Sequence, residues 1–139
     1  GLLAIFRVEE NRGRADACRR ALQAAQDAFA GLHEINQGRA IGGAPPLKIG
    51  IGLHVGKVVF GNIGAKDRLD FTVIGRAVNE VARVETQTKV LNRPLLISPS
   101  FAAEVNDCPI LSLGFHGLRG VQEPQELFTL PDECFAGYE

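Results

Sequence analysis

Residues 48–83, KIGIGLHVGKVVFGNIGAKDRLDFTVIGRAVNEVAR, constrain this chain most: three strand-like runs and a helix follow one another there with a single polar turn between them. Residues 48–55 are an apolar run rich in Ile and Leu that ends at Gly56. Residues 57–63 and 69–74 are β-like and are joined by Gly64-Ala65-Lys66-Asp67-Arg68; from Arg76 onward polar residues recur at helical spacing. Gly50, Gly52 and Gly56 are spaced GxGxxxG and lie within a strand rather than between a strand and a helix, which excludes a dinucleotide fingerprint. Glycine inside a strand instead marks close approach of another backbone. Gly61 and Gly64 bracket Asn62-Ile63 near the turn, where positive φ or a close ligand requires a residue without Cβ. Strands, a polar turn and a helix bearing an amide and a guanidinium make a unit able to build a site.

The remainder reads in order around that unit. Residues 2–8 are apolar and predict a buried strand. Over residues 15–36, Cys18, Leu22, Ala25, Phe29, Leu32 and Ile35 recur at three- and four-residue steps. This predicts an amphipathic helix with Asp16, Arg19, Arg20, Gln23 and Gln26 on its wet side. Residues 38–46, GRAIGGAPP, read as an exposed loop. A helix over 76–91 is broken by Asn92-Arg93-Pro94, and 95–98 form a short strand. Ser98-Pro99-Ser100 opens a helical turn through Val105, with Pro99 near the first helical position. Residues 110–118 and 125–130 read as a hairpin. The order β-α-β-β-(β)-α-β-α-β-β predicts an α/β sandwich, with helices packed on one mostly antiparallel sheet.

At 139 residues the chain is large enough for one domain with its own core. Its 15 basic and 16 acidic residues give no electrostatic case for nucleic acid or an anionic membrane surface. The apolar runs are far shorter than a membrane span. Cys18, Cys108 and Cys134 are odd in number and lack metal-site spacing, which fits thiols in a reducing compartment. The chain opens on Gly1 and contains no Met, which reads as a piece of a longer polypeptide.

Few residues are placed for chemistry. Asn79 and Arg83, at i and i+4, project from one face of their helix, and Arg76 falls on the same stripe. Ala77, Val78, Val81 and Ala82 are expected to dock the opposite face. An amide and a guanidinium on a rigid helix can stabilise charge developing on a phosphoryl group. Spacing alone better fits a solvated face with Arg76–Glu80 and Glu80–Arg83 ion pairs. His54 reads as a hydrogen-bonded core or rim histidine rather than a base. Asp67, Arg68 and Asp70 read as turn chemistry. No pair of carboxylates has metal spacing.

On these residues the sequence resembles the catalytic domain of class III adenylate/guanylate cyclases. The segments that carry the resemblance are IGIGLHVG (49–56), VVFGNIG (58–64) and DFTVIGRAVNEVARVE (70–85), with LRGVQEP (118–124) and GLLAIF (1–6) in support. The Asn-x-x-x-Arg helix after a TVIG strand is its most specific part. The resemblance implies a ferredoxin-like α/β sandwich, and a single catalytic domain over residues 1–139 that lacks its N-terminal strand and helices. It implies that Asn79 orients the ribose and Arg83 stabilises the pentavalent phosphorus. Thr72 takes the position that selects the purine, as in a bacterial, bicarbonate-responsive subgroup, and Arg119 that of a triphosphate contact.

The family holds two divalent metal ions, Mg²⁺ or Mn²⁺, on two aspartates, which are expected upstream of Gly1 together with the adenine-recognising lysine. No metal ligand is therefore expected within this chain, and Asp67 and Asp70 are not replacements. The implied activity is conversion of ATP to 3′,5′-cyclic AMP and pyrophosphate in the parent protein, with this fragment alone inactive. The implied partners are ATP, a head-to-tail homodimer and upstream sensor or regulatory domains, without nucleic acid or membrane contact by this domain, in the cytoplasm. A catalytically silent, cyclase-like regulatory module and a guanylate cyclase stay open as alternatives.

Overall fold

The computed structural model describes residues 1–63, 70–106 and 109–134. Two long helices, α1 (Gly13–Ile41) and α2 (Arg76–Val90), enclose a four-stranded sheet. Its strands are β1 (Ile51–Leu53), β4 (Leu95–Ile97), β5 (Leu111–His116) and β6 (Gln125–Thr129), in the order β1-β4-β6-β5. Between β1 and α2, strands β2 (Val59–Ile63) and β3 (Asp70–Ile74) pair, among the described residues, only with each other. The short helix α3 (Pro99–Ala102) follows β4.

The α/β architecture and its mostly antiparallel pairing agree with the sequence reading, and two features add to it. β1 and β4 are parallel, with Ile51 opposite Leu95 and Leu53 opposite Ile97, so the sheet is mixed. The antiparallel β2–β3 ribbon stands apart from it. Parallel neighbours need a crossover that returns the chain to the same end of the sheet. Here the ribbon and α2 supply that crossover, and α2 covers one face.

β4 explains why the sheet needs helices on both faces. Leu95, Leu96 and Ile97 are all fully buried, as in a strand with no solvent side. Leu95 and Ile97 pack with Leu53 against Cys18, Leu22, Ala25 and Phe29 of α1 and Phe101 of α3. Leu96 points the other way, to Val84 of α2, Leu118 and Leu127. Burying side chains of this size contributes about 1.5–3 kcal/mol each.

The predicted stripe on α1 is buried through Leu32, whereas Ile35 is 55% exposed. A helix of 29 residues is about 44 Å long, longer than strands of three to six residues can cover. The loop expected over 38–46 begins later, because the helix continues to Ile41. Asn36 clamps the returning chain, donating to the Leu47 carbonyl (2.9 Å) and accepting from the Leu47 amide (2.8 Å). Gly42 and Gly43 (φ +78°) then end the helix.

The strand expected at 2–8 is not formed. That segment has no strand pairing among the described residues; Leu2 is 99% exposed, and the Arg7 carbonyl accepts from the Arg20 guanidinium. Apolar character makes a strand only where another backbone offers a ladder. The turn carrying Asp67 and Arg68, and also Cys108, lie outside the described residues. Cys18 is a buried free thiol and Cys134 a half-buried one. Among the described residues no helix is long and apolar enough to cross a membrane.

Candidate active site

The site is built on α2, and glycines decide where α2 lies. A Cβ at Gly52 would stand 2.9 Å from the backbone nitrogen of Glu85 and 3.1 Å from its Cα. At Gly50 it would collide with the Thr88 side chain, and at Gly56 it would lie 2.7 Å from Ala77 Cβ. The helix therefore rests almost directly on the β1 backbone, the close approach that strand glycines imply. Gly75 turns the chain from β3 into α2 with φ +146°, and a Cβ there would meet the Lys57 carbonyl at 3.1 Å. Only glycine accepts that combination readily.

The docked face of α2 is Ala77, Val84 and Thr88. Of the expected set Ala77 is buried and Val78 and Val81 are half-buried, but Ala82 is exposed. Positions 77, 84 and 88 are four and seven residues apart and share one stripe, whereas residue 82 lies well around the helix from Ala77. Ala82 instead lines an open cleft of about 460 Å³ with Arg83, Thr86, Gln87, Arg119 and Gly120.

That cleft brings together two of the four residues predicted for the site. Arg83 comes from α2 and Arg119 from the loop between β5 and β6, 36 positions later in the chain. The Arg83 guanidinium lies over Gly120, where an added Cβ would be 3.4 Å from Nη2 and 3.6 Å from Cζ. Gly120 itself has φ +80°, so the turn there favours glycine. Among the described residues neither Arg83 nor Arg119 makes an ion pair. Two planar cations flanking an open cleft suit a phosphate-bearing anion. Asn79 is exposed one turn earlier on α2, and Thr72 sits mid-way along β3, opposite Gly61.

Glu80 behaves differently from the sequence expectation. Its pair with Arg76 is present at 3.1 Å, but the pair with Arg83 is replaced by one with His54. His54 Nε2 is 2.7 Å from Glu80 Oε2, and Nδ1 is 2.7 Å from Ser98 Oγ and 3.2 Å from Ser100 Oγ. The histidine is thus hydrogen-bonded at the rim of the core, as its apolar setting predicted. Burial pushes its pKa below the ordinary histidine value, against the opposing pull of the Glu80 carboxylate. The neutral ring then donates from Nε2 to Glu80 and accepts at Nδ1 from a serine hydroxyl.

Sequence reasoning passed over Gln87, Thr86 and Gly120. Continuing the i, i+4 step from Asn79 and Arg83 reaches Gln87, so that signal was available; nothing local marks Gly120. Among the described residues no three His, Cys, Asp or Glu side chains gather into a metal site.

Comparison with known proteins fits this geometry. Residues 7–101 match the family model described as the adenylate and guanylate cyclase catalytic domain. An adenylate cyclase of Anabaena cylindrica is 39% identical over 88 residues, covering 63% of this chain and 17% of that protein. The crystal structure of the guanylyl cyclase Cya2 superposes with a TM-score of 0.68 at 27% identity, over 87% of this chain and 61% of that one. The adenylyl cyclase CyaB from P. aeruginosa gives 0.65 at 29% identity, over 85% and 59%. The chain thus spans less than a fifth of the curated Anabaena relative.

Proposed function

The chain belongs to the adenylate and guanylate cyclase catalytic-domain family, and from that premise we propose that the protein containing it converts ATP to 3′,5′-cyclic AMP and pyrophosphate. The observation that supports this best is the convergence of Arg83 and Arg119 on one open cleft, with Asn79 one turn away on the same helix. In the reaction the ribose 3′-oxygen forms a bond to the α-phosphorus in line with the bond that breaks to the bridging oxygen. The hydroxyl proton goes to solvent and pyrophosphate leaves. Arg83 stabilises the charge on the pentavalent phosphorus, Asn79 holds the ribose, Arg119 binds the triphosphate and Thr72 meets the adenine edge. These residues work by positioning and by preorganised charge.

Cyclases of this family use divalent metal ions, which activate the 3′-hydroxyl and bind the triphosphate when present. The described residues offer no donor set for such an ion, and no metal step is assigned to this chain. Residues 1–139 are proposed to act as one catalytic domain within a head-to-tail homodimer, each α2 facing groups of the other copy.

The test is to incubate the full-length protein with ATP or GTP and Mg²⁺ or Mn²⁺ and identify the product. Cyclic AMP from ATP is expected. Cyclic GMP from GTP alone would favour the second reading, a guanylate cyclase, which the likeness to Cya2 supports. No cyclic nucleotide from either substrate, in a folded dimer, would overturn both.

A further inference from the structure

We propose that His54 is a positioning residue that fixes α2, and with it Asn79 and Arg83, along the axis of the β1–α2 seam; this rests on the cyclase reading above. The seam is made by Gly50, Gly52 and Gly56: the α2 backbone at Glu85 lies on Gly52, and the small side chains of Thr88 and Ala77 meet Gly50 and Gly56. Such a surface sets how close the helix lies. The strand's glycines offer no side chains of their own against sliding of the helix along it, and ridge-into-groove locking needs side chains on both partners.

Among the described residues, the bond from His54 Nε2 to Glu80 Oε2 is the one polar side-chain link between the β1 segment and α2. It is short, 2.7 Å, and the His54 side chain is only 11% exposed, so water competes weakly for it. The other ring nitrogen is anchored to the sheet side, at Ser98 Oγ. Ser98 is itself buried and caps α3, accepting from the Phe101 amide.

Glu80 is the neighbour of Asn79 and lies three residues before Arg83. A slide of α2 by a fraction of a turn would carry Arg83 away from Arg119 and Gly120 and shift Asn79 with it. Misplacing a reacting group by about 1 Å costs up to about a hundredfold in rate, so a partly released helix loses turnover without losing its fold.

The experiment uses the full-length protein and measures kcat and KM for cyclic nucleotide formation. His54→Ala is expected to lower kcat about tenfold with KM within about twofold, and His54→Gln, which keeps a donor for Glu80, to recover to within about threefold. In an Asn79→Ala background the same His54→Ala change should cost less kcat than in the parent, because the part of its effect that passes through Asn79 is already gone. Should His54→Ala not fold, Glu80→Gln carries the same comparison. Unchanged kcat, or an equal loss in both backgrounds, would overturn the proposal.

Hydrogen exchange separates this from failure of the cyclase reading. The amides of residues 79–83 should exchange faster in His54→Ala while those of α1 do not, whether or not any cyclic nucleotide is made. Unaltered exchange at 79–83 would overturn the pin by itself.

Discussion

The two faces of the sheet are packed by opposite means. On the α1 face, Phe29, Leu22 and Cys18 interdigitate with Leu53, Leu95 and Ile97, and large side chains fill the space. On the α2 face the strand contributes glycines, and among the described residues Val84, Leu96, Leu118 and Leu127 form a smaller buried cluster. The first face buries more apolar surface. The second trades bulk for closeness, and it is there that Asn79, Arg83 and Arg119 stand. Stability and precise placement are thus assigned to different sides of one sheet, which predicts that substitutions on the two faces fail in different ways.

The largest expected effect on folding is on the α1 face. Phe29, with no exposed surface, should cost about 3–5 kcal/mol when replaced by alanine, read as a lower urea midpoint. An effect below about 1 kcal/mol would show that α1 is not the main support.

Gly→Ala substitutions give the sharpest contrast, because their sign should differ between the faces. Gly52→Ala places a methyl 2.9 Å from the Glu85 nitrogen and should destabilise by about 1–3 kcal/mol while lowering turnover. Gly31, within α1, has nothing within 4 Å of a Cβ. Gly31→Ala should therefore stabilise by about 0.5–1 kcal/mol and leave turnover alone. Equal signs at the two positions would break the comparison.

The smallest effect concerns pH. His54 is held neutral in the folded state, its pKa lowered from 6.5 mainly by burial. Its contribution is complete above the unfolded value and is lost as pH falls through the folded one, because the unfolded chain takes up the proton first. The denaturation midpoint should fall between about pH 7.5 and about pH 5, and less so in His54→Gln. An unchanged pH dependence in that variant would remove His54 as the cause.

Much of this was legible in the sequence because it is local. The α1 stripe, the Asn79/Arg83 spacing and the capping of α3 by Ser98 with Pro99 depend on neighbours a few residues away, and Gly50 and Gly52 mark a close approach without saying that Thr88 and Glu85 make it. What escaped depends on partners far along the chain. Glu80 has Arg76 and Arg83 within a helical turn, and nothing in the sequence says that His54, 26 positions earlier, displaces one of them. Arg119 was reached only through resemblance, since a hairpin loop carries no spacing rule that aims it at α2. The 2–8 segment failed for the same reason in reverse: its apolar residues promised a strand, but a strand exists only with a pairing partner.

The most direct measurement of the central claim is turnover of Arg83→Ala in the full-length protein, taken together with its melting temperature. If the α2 face places chemistry rather than holding the fold, cyclic nucleotide formation falls about a hundredfold or more while the melting temperature stays within about 2 °C of the parent. Turnover within about threefold of the parent, or a loss explained by unfolding, would contradict it.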